Sequence, residues 1–112
     1  MSKKEIEIIP AIMPESFSDL NEKYSRVRNF VNMVQIDVMD GKFVPSKDWP
    51  YVGGEIEKIN FDFEVDLMVS NPETVIESWV NAGAKRIIIH SESTENIEEV
   101  FLKIPSDVEV GI

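Results

Sequence analysis

The sequence predicts an α/β fold in which parallel strands are joined by crossover helices. Two observations predict it. Apolar runs of strand length alternate with amphipathic helical patterns along all 112 residues, in the order βαβαβαβαβ. Helix start and stop signals fall between those runs, which leaves room for a crossover after each strand. A flavodoxin-like open sheet and a (β/α)8 barrel both fit this order, and periodicity alone does not choose between them.

The elements follow in turn. Ile6 to Met13 reads as the first strand. Phe17 to Phe30 reads as a helix, with Ser16 as N-cap and Leu20, Tyr24, Val27 and Phe30 on one face. Met33 to Met39 is the second strand, and a loop with Pro45, Trp49 and Pro50 follows. A short helix is expected around Gly54 to Ile59, before a third strand from Phe61 to Val69. Asn71-Pro72-Glu73 reads as a helix start: Asn caps, Pro fits the first helical position, and Glu suits the positive helix end. Val75, Ile76, Trp79 and Val80 form that helix's buried stripe, and Gly83 ends it. Arg86 to His90 is the fourth strand. Ser93 or Thr94 caps a helix running to Ile104, and Asp107 to Ile112 begins a fifth strand.

Composition excludes several classes. With 43% hydrophobic and 29% charged residues, the chain is ordinary globular material rather than disordered or collagen-like. It has no cysteine, so disulfides, thiolate nucleophiles and cysteine-ligated zinc or iron–sulfur centres are out. A net charge of −10 repels nucleic acid and anionic membranes, and neither is expected as a partner. No apolar run approaches a membrane span or a signal-peptide core, so a soluble, cytoplasmic protein is expected.

A (β/α)8 barrel takes roughly 200 residues or more. Residues 1–112 are therefore expected to form a single partial barrel domain that ends at the fifth strand. An open strand edge would make such a domain self-associate, so a homo-oligomer is expected. A complete five-stranded open sheet is the alternative.

The chemistry is read from register. Alternate residues of a strand face the same side. The second strand sends Gln35, Asp37 and Met39 to one side; the third sends Glu64, Asp66 and Met68 to one side. Burying unpaired carboxylates is expensive, so two polar–polar–Met series on adjacent strands call for a metal, a cluster of partners or a water-filled site. Sites of parallel α/β folds lie at the carboxyl ends of strands, where Asp37 and Asp66 fall. His90, at the end of the fourth strand, is placed to join the same rim.

These residues carry a resemblance. Asp37-Val38-Met39-Asp40-Gly41-Lys42-Phe43-Val44-Pro45 is similar to the Asp-Val-Met-Asp-Gly-x-Phe-Val-Pro signature of ribulose-phosphate 3-epimerases. Ile9-Pro10-Ala11-Ile12-Met13, Val65-Asp66-Leu67-Met68-Val69, Asn71-Pro72-Glu73, Ala82-Gly83-Ala84 and Ile89-His90-Ser91-Glu92 resemble further family segments, in the same order. The likeness covers the whole chain and corresponds to the first half of a family member. It implies the N-terminal half, about β1–β5, of a (β/α)8 TIM barrel of the ribulose-phosphate-binding type.

The resemblance also implies an activity: metal-assisted 1,1-proton transfer at carbon 3 of a pentulose phosphate, a sugar-phosphate substrate. Asp37 falls on a catalytic aspartate that is also a metal ligand. Ala11, Met39, Met68 and His90 fall along the substrate. Gln35 and Asp66 stand where the family has ligand histidines, and Ala11 stands where it has serine. Gln35, Asp37 and Asp66 are thus the expected ligands of a divalent ion (Mg, Mn, Fe or Zn), now an oxygen-rich set suited to Mg²⁺ or Mn²⁺; the alternative is a lost metal. The family's second catalytic aspartate and phosphate loops belong to later strands, so these residues alone are expected to be inactive. Two other readings stand beside this one. One is a non-catalytic half-barrel that self-associates. The other is a phosphate-binding barrel decarboxylase, for which Lys42 lies too far beyond the strand end.

Overall fold

The computed structural model describes residues 6–50 and 56–112. Five strands form one parallel sheet in sequence order: β1 (Ala11–Ile12), β2 (Val34–Met39), β3 (Phe63–Met68), β4 (Arg86–Ile89) and β5 (Glu109–Gly111). Three α-helices lie between them: α1 (Phe17–Val27), α2 (Ile76–Ala82) and α3 (Ile97–Leu102). Five parallel strands alternating with helices make an α/β fold of the kind found in the N-terminal half of a TIM barrel.

The sheet's two faces differ. Val34, Ile36 and Val38 of β2, Phe63, Val65 and Leu67 of β3, and Ile87 and Ile89 of β4 are buried. They pack with Leu20 of α1, Ile76, Trp79 and Ala82 of α2, and Val100 of α3 in one core. The intervening residues of β2, namely Gln35, Asp37 and Met39, are only half-buried. Aromatic pairs lock the helices on: Trp79 meets Phe63 edge-on at 6.1 Å, and Tyr24 stacks on Phe61 at 3.8 Å.

Several elements differ from the sequence reading. Only Ala11 and Ile12 of the first run pair with β2, and Ile6 and Ile8 are exposed. α1 starts where expected, with Ser16 Oγ accepting from the Asp19 amide at 3.0 Å, but it ends at Val27. A further turn closes from Phe30 N–H to Val27 O and swings Phe30 into solvent, 84% exposed. No helix covers residues 56–59, and positions 54 and 55 of that expected helix lie outside the described residues.

Asn71 is not a side-chain cap. It sits in the left-handed region at φ 54°, whereas capping needs an extended backbone, and a 3-10 turn (Pro72–Thr74) precedes α2. Gly83 does end α2, at φ 107°, a conformation that favours glycine. The cap of α3 is Asn96, whose Oδ1 accepts from the Glu99 amide at 3.2 Å. Ser93 and Thr94 precede it: Ser93 lies in a 3-10 turn (Ser91–Ser93) and donates to the His90 carbonyl at 2.7 Å. No helix among the described residues is long and apolar enough to cross a membrane.

Candidate active site

The face of the sheet turned away from the helices is laid out in rows. Register pairs Ala11 with Gln35, Gln35 with Glu64, Glu64 with Arg86 and Arg86 with Glu109. The next row sets Asp37 against Asp66, Asp66 against Ile88 and Ile88 against Gly111. Met39 and Met68 pair in the row beyond, at the carboxyl ends of β2 and β3, and His90 follows the end of β4. The two polar–polar–Met series thus share one face in matched register.

The first row is neutralised locally. Buried Glu64 accepts from Arg86 Nη1, and Arg86 Nη2 also reaches Glu109 Oε2 at 2.9 Å. This ladder answers the cost of placing Glu64 in the sheet, and it takes Glu64 out of the reactive set.

The second row holds the titratable pair. Gln35 Nε2 donates to Asp37 Oδ1 at 2.7 Å, and His90 Nε2 lies 2.6 Å from Asp66 Oδ1. Burial pushes the Asp37 carboxyl above its ordinary value, the Gln35 hydrogen bond pulls it down, and the charge of Asp66 adds to the rise. Phe43 covers the imidazole, with ring centroids 5.7 Å apart. Ala11 is exposed at the edge of this face, and Met39 and Met68 are half-buried.

The loop after β2 closes the rim through two aspartates. Asp40 Oδ1 accepts from the amides of Lys42 at 2.8 Å and Phe43 at 2.9 Å, and its Oδ2 accepts from Ser70 N–H at 2.8 Å. Burial raises that carboxyl, but backbone N–H donors, its own among them, outweigh it and hold Asp40 below the ordinary range. Gly41, at φ 77°, makes the turn that brings Lys47 back opposite Asp40.

Asp48 then clamps the end of β2. Its N–H donates to Met39 O at 3.2 Å, and its Oδ1 accepts from Met39 N–H at 2.8 Å. Its side chain is buried, and Oδ2 has no hydrogen-bond partner. Burial, reinforced by the charge of Asp37, pushes the Asp48 carboxyl up to about 6 despite the Met39 bond. Sequence reading missed Asp48. It lies in a loop without periodicity, where no local pattern marks a buried carboxyl.

Chemically, these side chains are of the types that accept and donate protons. A half-buried carboxyl with raised proton affinity lies in register with Asp66, which is hydrogen-bonded to His90, near the strand ends. Among the described residues, no group of three or more His, Cys, Asp or Glu side chains is arranged to hold a metal ion.

Comparison with known proteins agrees with the signature. A family model described as the ribulose-phosphate 3 epimerase family matches residues 7–111. Ribulose-phosphate 3-epimerase of Chlamydia muridarum is 36% identical over 90% of this chain and 46% of its own length. The Chlamydia trachomatis protein of the same name is 34% identical over 100% of this chain and 50% of its own. A chloroplastic ribulose-5-phosphate-3-epimerase of Arabidopsis thaliana is 30% identical over 86% of this chain and 35% of its own. The chain spans about half the length of the first two of these relatives. With nearly every residue from the first strand to the last matched by the family model, the chain belongs to the ribulose-phosphate 3-epimerase family.

Proposed function

We propose that this chain supplies one half of an epimerase-type site that exchanges the proton at carbon 3 of a pentulose phosphate, with Asp37 as the acid/base. The observation that carries the reading is the setting of Asp37. It is half-buried on the open face, holds its proton more tightly than an ordinary carboxyl, and is fixed by Gln35 at 2.7 Å. A carboxyl moved toward neutral pH can both accept and return a proton, which is what inversion at carbon 3 demands.

In this reading the other residues orient and enclose. Gln35 sets the direction of the Asp37 carboxyl. Asp66 fixes the His90 ring, whose second nitrogen is then available to a substrate oxygen. Met39 and Met68 give a polarisable, water-excluding wall. Ala11 leaves room at the edge. Residues 1–112 act as one partial barrel domain.

The divalent ion that the family resemblance implies does not fit the donors as they stand. One oxygen of each aspartate is taken, Asp37 Oδ1 by Gln35 Nε2 and Asp66 Oδ1 by His90 Nε2, and no group of three or more His, Cys, Asp or Glu side chains is arranged to hold an ion among the described residues.

The test is uptake of solvent deuterium at carbon 3 of ribulose 5-phosphate. The chain alone is expected to be silent. Mixed with a polypeptide carrying the uncovered half of the Chlamydia muridarum relative, it is expected to exchange. Turnover by the chain alone, or silence of a mixture that demonstrably associates, would refute the reading.

A second reading is a self-associating module. Exposed apolar residues at both ends of the sheet favour it: Ile6, Ile8 and Met13 beside β1, Val110 and Ile112 at β5. Sedimentation at micromolar concentration decides it; a clean monomer removes it.

A further inference from the structure

A cavity of about 550 Å³ lies between the loop after β2 and α2. It opens at the carboxyl end of β2 against α2, and Met39 and Asp40 also border it. Val38, Val69 and Trp79 line it with apolar surface, while Lys42, Lys47 and Ser78 supply polar groups. The combination is amphipathic: a floor for a flat apolar group and two cations for an anionic one.

The two lysines are brought together by the chain's own turn. Asp40 and Lys47 face each other in an antiparallel bridge, and left-handed Gly41 leaves the Lys47 stem room to lie over it. A Cβ at Gly41 would meet Lys47 Cβ at 3.4 Å. Neither ammonium group is in an ion pair among the described residues. The adjacent carboxylate, Asp40, has both oxygens occupied by backbone N–H groups of Lys42, Phe43 and Ser70. In a chain of net charge −10, two lysines against the single Asp40 carboxylate leave the lining of this cavity locally positive.

We propose that this cavity binds a small organic anion with a flat apolar body, of the chemical class of an aryl phosphate. The doubly charged head sits between Lys42 and Lys47, where two ammonium groups match two charges. The ring lies on Val38, Val69 and Trp79, where burial of apolar surface adds to the affinity. The site goes beyond the epimerase reading: it borders Met39 but uses none of Gln35, Asp37, Asp66 or His90.

Phenyl phosphate is the probe, followed by amide NMR shifts of the full chain. Saturable shifts are expected at Lys42, Lys47, Ser70 and Ser78. Inorganic phosphate should act on the same amides more weakly, and phenol should have no comparable effect. The double variant K42Q/K47Q should weaken binding about tenfold or more, since it removes both charge-assisted contacts. Both lysines are exposed, so the variant is expected to keep the dispersed spectrum of the folded chain. Asp37→Asn should bind as well as the parent, which separates this site from the epimerase site. Shifts confined to Asp37, Asp66 and His90, undiminished binding by K42Q/K47Q, or no saturable response would overturn the proposal.

Discussion

Asp37 and Asp66 stand directly opposite one another across β2 and β3, and each is tied to a different neighbour, Gln35 on its own strand and His90 beyond the next. Two carboxyls in one row cannot both ionise without cost. Burial does most to raise the Asp37 carboxyl, the Gln35 hydrogen bond lowers it, and the Asp66 charge adds to the rise. The last two influences can be separated by substitution. Gln35→Leu is expected to raise the Asp37 titration midpoint, because it removes a hydrogen bond to the charged form. Asp66→Asn is expected to lower it. Carbon-13 shifts of the Asp37 carboxyl read both, and movement in the opposite directions would reject this electrostatic account.

Asp48 predicts a pH dependence of stability. Its carboxyl binds a proton more tightly folded, at about 6, than unfolded, near 3.8. The folded state therefore holds more protons between those values, and stability falls as pH rises through that window. A shift of about two units corresponds to about 2.7 kcal/mol, and loop solvation trims the expected loss to about 1–2 kcal/mol. Asp48→Asn keeps an acceptor for the Met39 amide and removes the charge. Urea melts from pH 4 to pH 7 should show this slope in the parent and a flatter line in the variant.

The Glu64–Arg86–Glu109 ladder predicts an asymmetric mutational response. Arg86→Ala strands a buried Glu64 carboxylate and should cost about 2–4 kcal/mol, less than a fully enclosed pair because Arg86 is partly exposed. Adding Glu64→Gln to that variant should recover most of the loss. A cycle showing simple additivity would mean that the pair is not coupled.

Divalent ions are expected to leave the chain unchanged. With one oxygen of each aspartate already hydrogen-bonded, to Gln35 and to His90, Mg²⁺ or Mn²⁺ at about 1 mM should not raise the melting temperature. A saturable rise that Asp37→Ala abolishes would reinstate Gln35, Asp37 and Asp66 as ligands.

Much of this molecule is legible in its sequence because parallel strands impose a strict period of two. That period put Gln35, Asp37 and Met39 beside Glu64, Asp66 and Met68, and the register pairs those residues one to one. The helix side was equally plain, since Ile76 and Trp79 repeat at helical spacing and are fully buried.

Caps and loops were harder to read. Asn71 looked like a cap by residue type, but capping depends on backbone angles that its left-handed conformation denies. Asp48 and Arg86 take their meaning from partners 9 and 22 residues away, and no local pattern encodes those separations. The first strand was over-extended because apolar character predicts burial only where a neighbouring strand or helix is present to cover it.

The claim that Asp37 is the acid/base of an epimerase-type site is tested most directly by Asp37→Asn in the complemented exchange assay. Asparagine keeps the size and most hydrogen bonds but cannot take up the carbon 3 proton. Deuterium incorporation into ribulose 5-phosphate should fall by about 10²–10⁴-fold, with association of the two halves unchanged. Exchange at the parental rate in that variant would contradict the assignment.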